Sequence, residues 1–99
     1  MEYDFEDEPT YGELYTNPKF TGRFSAAIVS KFRQRMQQIK DARDERDFYA
    51  LKSLRFEKLK GNRSHQHSMR LNDQWRLVIE LIGKDTDKIV RIICIEDYH

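Results

Sequence analysis

The sequence lacks several features that would place it in a broad class of proteins. It has a single cysteine, Cys94, so an internal disulfide is excluded and a reducing compartment is favoured. The first residues are acidic and contain no apolar core of the kind found in signal peptides. The longest apolar stretch, IVRIICI, is too short to cross a membrane and is interrupted by Arg91. We therefore expect a cytoplasmic protein without a membrane segment.

Motifs of several catalytic classes are also missing. The four glycines form no phosphate-binding loop, and no serine occupies a nucleophile elbow. His65 and His67, even when combined with Cys94 or His99, match no established zinc spacing. We expect neither a cofactor nor a metal.

The charges that are present are unevenly distributed. The net charge is +1, but residues 1–20 carry six acidic residues against one lysine. Residues 51–76 carry seven Lys or Arg against Glu57 and Asp73. Such a basic segment is the pattern expected of a surface that binds a polyanion, although from charge alone a solvated face is the simpler explanation.

The first half of the chain has the spacing of helices. MEYDF predicts a short edge strand, and a first helix follows from about Glu8 to Thr16, ended by Asn17 and Pro18. The longest helix begins at a Ser25 N-cap and has an apolar stripe that comprises Ile28, Val29, Phe32, Met36 and Ile39. The residues off that stripe are Lys31, Arg33, Arg35 and Gln38. A shorter helix follows an Asp44 cap, with an apolar face made of Phe48, Leu51 and Leu54.

The second half changes to the pattern of strands. HSMRL alternates, whereas WRLVIELI and KIVRIICIE are near-continuous apolar runs rich in β-branched residues, as in strands at the centre of a sheet. NDQ and GKDTD are turn sequences that join these strands as hairpins. We therefore predict one α+β domain over residues 1–99, with N-terminal helices packed on a small antiparallel sheet. Residues 1–20 form its acidic N-terminal segment.

The NDQ hairpin predicts an unusual pair of basic residues. A three-residue turn keeps the apolar residues of both strands on one face and gives the pairs Leu71–Trp75, Arg70–Arg76 and Met69–Leu77. Arg70 and Arg76 then lie opposite each other on the other face, where like charges destabilise a sheet. Either carboxylates neutralise the pair, with Glu80 as one candidate, or it is kept for an anion.

The last strand returns beside this hairpin, so Asp97, Tyr98 and His99 are expected near Arg76 and tied to the sheet. Cleavage of RNA through its own 2′-hydroxyl requires a base, an acid and cations for the charged phosphorane. Imidazole serves as acid or base near neutral pH, Lys and Arg supply charge, and Tyr and Trp stack on bases. Residues of the right types are Lys60, Arg63, Arg70, Arg76, Tyr98 and His99.

The chain resembles the HigB, or killer-protein, branch of the RelE/ParE toxin superfamily. The resemblance covers residues 20–99 and rests on LKG, NDQWRL and the final DYH in combination. It implies a type II toxin that enters the ribosomal A site and cuts mRNA without a metal. It also implies a helix-turn-helix antitoxin, HigA, through which alone the toxin would be linked to operator DNA. The family's functional residues correspond to Lys60, Arg76, Asp97, Tyr98 and His99.

One position departs from the family's motif, because Glu57 stands where well-studied members have a histidine. Either Glu57 is the base, or His99 carries both roles, or the enzyme is weak. His65 and His67 lie nearby in sequence and are candidates to replace that histidine, but we favour exposed polar loop and strand residues for both. Further contacts with nucleic acid are expected from Lys58, Arg63, Arg70 and Trp75. The alternative function is a non-enzymatic ParE-like toxin that binds DNA gyrase, and a third is a bare RNA-binding domain.

Overall fold

The computed structural model describes residues 1–98, except for the side chain of Thr86, and His99 lies outside the described residues. The strands are β1 (Tyr3–Phe5), β2 (Glu57–Lys58), β3 (Gln66–Arg70), β4 (Trp75–Ile82) and β5 (Ile89–Asp97). The α-helices are α1 (Glu13–Thr16), α2 (Ala26–Asp41) and α3 (Arg46–Ala50). Short helical turns lie at Glu8–Gly12, Lys52–Leu54, Gly61–Arg63 and Asp85–Asp87. Within residues 1–98, no helix combines the length and apolarity needed to cross a bilayer.

The long helix α2 forms as its sequence predicts. The Ser25 hydroxyl accepts a hydrogen bond from the Ile28 N–H at 3.2 Å, which satisfies one of the free donors at the helix start. The predicted apolar stripe is buried along its whole length, and its members are Ile28, Val29, Phe32, Met36 and Ile39. Both the N-cap and the buried face are therefore confirmed.

Arg35 is the exception on α2. It lies off the apolar stripe in sequence, yet it is buried. Its Nε donates to the carbonyl of Arg70 at 2.8 Å, and its Nη1 donates to the Gln38 side chain at 3.0 Å. Burial lowers the pKa of the Arg35 guanidinium, and the nearby charge of Arg70 adds to that effect. Arg35 thus joins the helix to the end of β3 and does not belong to a solvated polar face.

The helical segments on either side of α2 differ in how well they match the sequence pattern. The predicted first helix forms in two pieces, a wide turn at Glu8–Gly12 with Pro9 in its first turn, followed by α1. In the third helix Phe48 and Leu54 are buried as predicted, but Leu51 is 42% exposed. The prediction is wrong for Leu51 because α3 ends at Ala50 and a turn of different pitch follows it.

The strands form one sheet in the order β1-β5-β4-β3-β2. Neighbouring strands are antiparallel except β1, which pairs with β5 in parallel, so the sheet is mixed. The α+β architecture and the edge position of β1 are confirmed, and the parallel pairing is an addition to the predicted meander. β4 is the middle strand and β5 lies next to it, so both strands have a neighbour on each side, as their β-branched apolar sequences predicted.

The two faces of the sheet differ in composition. One face packs against the helices, and its buried side chains include Met69, Leu71, Leu77, Ile79, Val90, Ile92 and Ile95. An irregularity in the β4–β5 pairing between Val78 and Ile79 lets both Ile92 and Ile95 reach this core, although strict alternation would put them on opposite faces. The other face carries Arg70, Arg76 and Glu96, and the candidate site lies there.

Candidate active site

The candidate site is centred on Arg76, the second residue of β4, which is only 5% exposed. Its Nε donates to the Ser68 hydroxyl at 3.0 Å. Its Nη2 donates to the main-chain carbonyl of Arg55 at 2.8 Å and to Glu57 Oε1 at 3.1 Å. The ring of Tyr98 covers the guanidinium, with its centroid 4.7 Å from Cζ. Arg76 is therefore a buried cation whose orientation is fixed by four groups.

Arg70 and Arg76 are directly opposed across β3 and β4, as the hairpin register predicted. Carboxylates neutralise both, because Arg70 is paired with Asp73 and Arg76 with Glu57. Glu80 is not one of these partners, since its carboxylate accepts from Gln66 at 3.1 Å. The proposed role of Glu80 is wrong because the turn after β3 and strand β2 supply closer acids.

The end of β5 is tied to the sheet, as predicted. Asp97 lies opposite Trp75 in the β4–β5 register. The Tyr98 N–H donates to the Gln74 carbonyl at 2.6 Å, and the Gln74 amide donates to Asp97 Oδ2 at 3.1 Å. These bonds hold Tyr98 beside Arg76, and the residue remains 52% exposed. His99, the residue on which the acid–base prediction depends, lies outside the described residues.

A cavity of about 300 Å³ opens beside Arg76. Its lining residues are Glu57, Lys58, Leu59, Lys60 and Tyr98. The structure thus brings together a carboxylate, two ammonium groups and a phenol next to a buried guanidinium. Anionic ligands fit such a set, because the cations outnumber the acid.

Two of the residues expected to bind nucleic acid are placed differently. Arg63 forms a bidentate ion pair with Glu96, with N–O distances of 2.9 and 2.8 Å. This pair raises the pKa of Arg63 and lowers the pKa of Glu96. Trp75 lies on the helix-covered face, where its indole meets the edge of Phe24 with 6.2 Å between ring centroids. Neither side chain lines the cavity.

The two histidines before β4 also lie outside the cavity. His65 is exposed as expected and approaches Glu80 at 3.6 Å. His67 is not exposed, because its ring stacks on Phe56 at 4.8 Å with only 7° between the planes. Its Nδ1 is buried without a hydrogen-bond partner, and burial lowers its pKa. Within residues 1–98, no cluster of three or more potential metal ligands is present.

Two members of the site were missed by sequence reasoning, namely Ser68 and Arg55. Strand alternation does place Ser68 on the face of Arg70, which is a weak signal that it neighbours Arg76. Nothing in the sequence marks Arg55, since it contributes its main-chain carbonyl from a left-handed conformation with φ 44°.

Comparison with known families assigns the chain. The family described as "RelE-like toxin of type II toxin-antitoxin system HigB" matches residues 4–99. The chain belongs to this HigB family. The family match confirms the predicted resemblance, and it extends through most of the acidic N-terminal segment. This HigB-family protein is thus a RelE-like toxin of the type II class. No curated protein matches its sequence.

Solved structures support the fold of this HigB-family chain. The YoeB/ParE toxin from Agrobacterium tumefaciens matches with a TM-score of 0.63 and 17% identity, over 100% of both chains. YoeB in the YoeB–YefM complex from Staphylococcus aureus matches with a TM-score of 0.56 and 22% identity, over 100% of this chain and 97% of that one. At these identities the likeness establishes the fold, and the site has to be argued from its own geometry.

Proposed function

We propose that this HigB-family toxin is an endoribonuclease that cuts mRNA on the ribosome without a metal ion. The observation that carries the proposal is the cavity in which Glu57, Lys60 and Tyr98 meet beside Arg76. These side chains match the needs of 2′-hydroxyl attack on a phosphate, which are a proton acceptor, cations for the phosphorane and a surface for a base.

Each residue has a distinct role in this proposal. Glu57 is the base: its Oε1 accepts from Arg76, and its Oε2 takes the 2′-hydroxyl proton. Arg76 and Lys60 stabilise the charge that develops on the phosphate. Tyr98 stacks on a nucleotide with the face that Arg76 does not cover. His99 donates the proton to the 5′-oxygen, and Asp97 anchors this segment through Gln74.

Surrounding charges contribute binding and not chemistry. Lys58 lies in the cavity wall beside Lys60, and both are exposed. Arg63 and Arg70 already form ion pairs with Glu96 and Asp73. They can therefore bind an RNA phosphate only if it replaces that carboxylate. Backbone phosphates dominate such contacts, so affinity depends on the number of free cations.

The proposed partner is a HigA-like helix-turn-helix antitoxin in the cytoplasm. A solved structure similar to this chain is the complex of YoeB with YefM. The antitoxin covers Lys60, Arg76 or the Tyr98 segment, or it holds the toxin off the ribosome by bulk. In this proposal the antitoxin binds the operator DNA, and the toxin does not contact that DNA itself. A complex whose antitoxin neither approaches these residues nor clashes with a ribosome-bound toxin would contradict this arrangement.

One observation favours the alternative, inhibition of DNA gyrase by binding. Arg76 is already neutralised by Glu57, where well-studied relatives have a histidine. Cleavage of mRNA in a translating extract, measured beside a gyrase supercoiling assay, separates the two functions. We expect cleavage by the wild type, loss of cleavage in Arg76→Ala, and retention in Lys31→Ala on the far side of α2. Inhibited supercoiling without mRNA cleavage would establish the alternative.

A further inference from the structure

Arg76 is surrounded by protein acceptors to a degree that its proposed role does not require. A guanidinium that only neutralises a phosphate needs to be near it, and exposed side chains on the surface would serve. Here the side chain is almost fully buried, and two acceptors come from residues that do not line the cavity, Ser68 and Arg55. Their placement requires a separate explanation.

Ser68 is the first of these acceptors. It is 2% exposed, lies on β3, and is fixed by the pairing of that strand with both β2 and β4. Its hydroxyl accepts from Arg76 Nε, the one nitrogen within the side-chain stem. A bond at Nε acts together with the bonds of Nη2 to fix the rotation of the guanidinium plane about the stem. The hydroxyl thus helps to determine the direction in which both terminal nitrogens point.

The Arg55 carbonyl is the second acceptor. Arg55 has φ 44° and ψ 50°, in the left-handed region that residues with a β-carbon rarely adopt. This conformation follows the Lys52–Leu54 turn and presents the carbonyl to Arg76 Nη2 at 2.8 Å. Such conformations persist where the surroundings hold them, and they concentrate at functional sites.

We infer that Ser68 and the Arg55 carbonyl are positioning groups that orient the Arg76 guanidinium before RNA binds. The inference rests on the proposed nuclease function. Within residues 1–98, the hydrogen bonds of the Arg76 side chain use Nε and Nη2, and none of them uses Nη1. In this proposal Nη1 is the nitrogen that binds the phosphate. A cation fixed in this way needs no reorganisation as charge develops, which is the condition for effective transition-state stabilisation.

The kinetic test compares Ser68→Ala with Ser68→Thr and with Ser30→Ala, an exposed serine on α2. Misplacement of a catalytic group by about 1 Å costs on the order of 10²-fold, so we expect Ser68→Ala to lower kcat to that extent with KM unchanged. Ser68→Thr keeps the hydroxyl and restores kcat, and Ser30→Ala has the wild-type rate. In an Arg76→Lys background, Ser68→Ala has no further effect. An unchanged kcat in Ser68→Ala overturns the inference. So does a result in which Ser68→Ala lowers kcat by the same factor in the Arg76→Lys background as it does in the wild type.

A measurement without catalysis separates this inference from the proposed function. In ¹⁵N NMR spectra of the free toxin, the Arg76 Nε–H signal is assigned by its disappearance in Arg76→Lys. We expect slow hydrogen exchange of this signal in the wild type and Ser68→Thr, and fast exchange in Ser68→Ala. The same slow exchange in Ser68→Ala overturns the positioning role, whatever the activity. If the wild type cuts no mRNA, the nuclease proposal fails and this exchange rate alone decides the role of Ser68.

Discussion

Tyr98 lies over the guanidinium of Arg76, with 4.7 Å between Cζ and the ring centroid. One face of the phenol is used in this contact, and the side chain nevertheless remains 52% exposed. A cation beneath an aromatic ring contributes about 0.5–1 kcal/mol at an exposed site and about 2 kcal/mol or more where the cation is desolvated. The contact therefore holds the ring in place at the edge of the cavity, and its outer face is the one that we propose stacks on a nucleotide base.

Replacing Tyr98 tests this arrangement. Tyr98→Phe keeps the ring over Arg76 and should retain most of the cleavage activity. Tyr98→Ala removes the stacking surface, which contributes about 1–3 kcal/mol per base in single-strand binding, so RNA binding should weaken by that amount. The measurements are mRNA affinity and cleavage, with Tyr49→Ala, an exposed tyrosine outside the cavity, as control. Equal affinity in Tyr98→Ala and the wild type would show that no base stacks there.

Glu57→Gln tests the identity of the base. The amide still accepts from Arg76 but takes no proton, so the cleavage rate should fall by about 10²–10⁴-fold. The glutamine amide keeps the hydrogen bond to the buried Arg76 guanidinium, and position 57 is itself half exposed, so the melting temperature should fall less than in Glu57→Ala. Glu57→His should cleave, since imidazole accepts a proton near neutral pH. Glu80→Gln on the same face of the sheet is the matched control. A full rate in Glu57→Gln would assign the base to another residue.

His99→Ala tests the proposed acid. If His99 acts only as a proton donor, the free energy of unfolding should stay within about 0.5 kcal/mol of the wild type. Cleavage on ribosomes should fall by about 10²–10⁴-fold. Thermal melting and cleavage are compared side by side. Normal melting with undiminished cleavage would remove His99 from the site, and a large loss of stability would show that its role is structural.

The free lysines should determine how RNA binding depends on salt. Lys58 and Lys60 are exposed, whereas the charges of Arg63, Arg70 and Arg76 are already paired with carboxylates. Each phosphate-binding lysine that is lost should reduce the slope of log affinity against log salt by about 1. Lys58→Ala and Lys60→Ala are compared with Lys31→Ala on α2, which should keep the wild-type slope. Affinity that hardly changes with salt would contradict a charge-dominated interface.

The stability of the fold should depend on pH through His67. Burial lowers the pKa of this imidazole below its usual 6.5, with Lys58 and Lys88 acting in the same direction and Glu45 against it. The unfolded chain then binds the proton more readily than the folded one. The contribution of neutral His67 to the free energy of unfolding should be fully present above pH 6.5. It should be lost as the pH falls from 6.5 through the lowered pKa of His67 in the folded chain.

His67→Phe should remove this pH dependence, because phenylalanine keeps the stack on Phe56 and does not titrate. His65→Gln, which alters an exposed ring, should leave it unchanged. The measurement is denaturant unfolding at several pH values on either side of 6.5. Carboxylates whose pKa is lowered, such as Glu96, lose their contribution only at more acidic pH. An identical pH profile for His67→Phe and the wild type would contradict the prediction.

The sequence by itself determined the features that depend on neighbours along the chain. The spacing of apolar residues fixed the buried stripe of α2, and alternation with a short turn fixed the Arg70–Arg76 pairing. The arrival of Tyr98 beside Arg76 follows from the same register, since β5 is antiparallel to β4 and ends at the hairpin. In each case the spacing of apolar residues has to place them on one buried face. Other registers would move those residues to the solvent face and are therefore excluded.

Only the tertiary structure decided which partners meet across long stretches of chain. The Glu57–Arg76 ion pair joins residues 19 apart, and the Arg55 carbonyl reaches Arg76 from 21 residues away. Both depend on how the segment before β2 turns back over the sheet, and its conformation at Arg55 contradicts local preference. The burial of Arg35 and the placement of His67 against Phe56 arise in the same way. The burial of a polar side chain cannot be predicted from its spacing along the chain. It depends on whether a hydrogen-bond acceptor or an aromatic ring lies opposite that side chain in the folded protein.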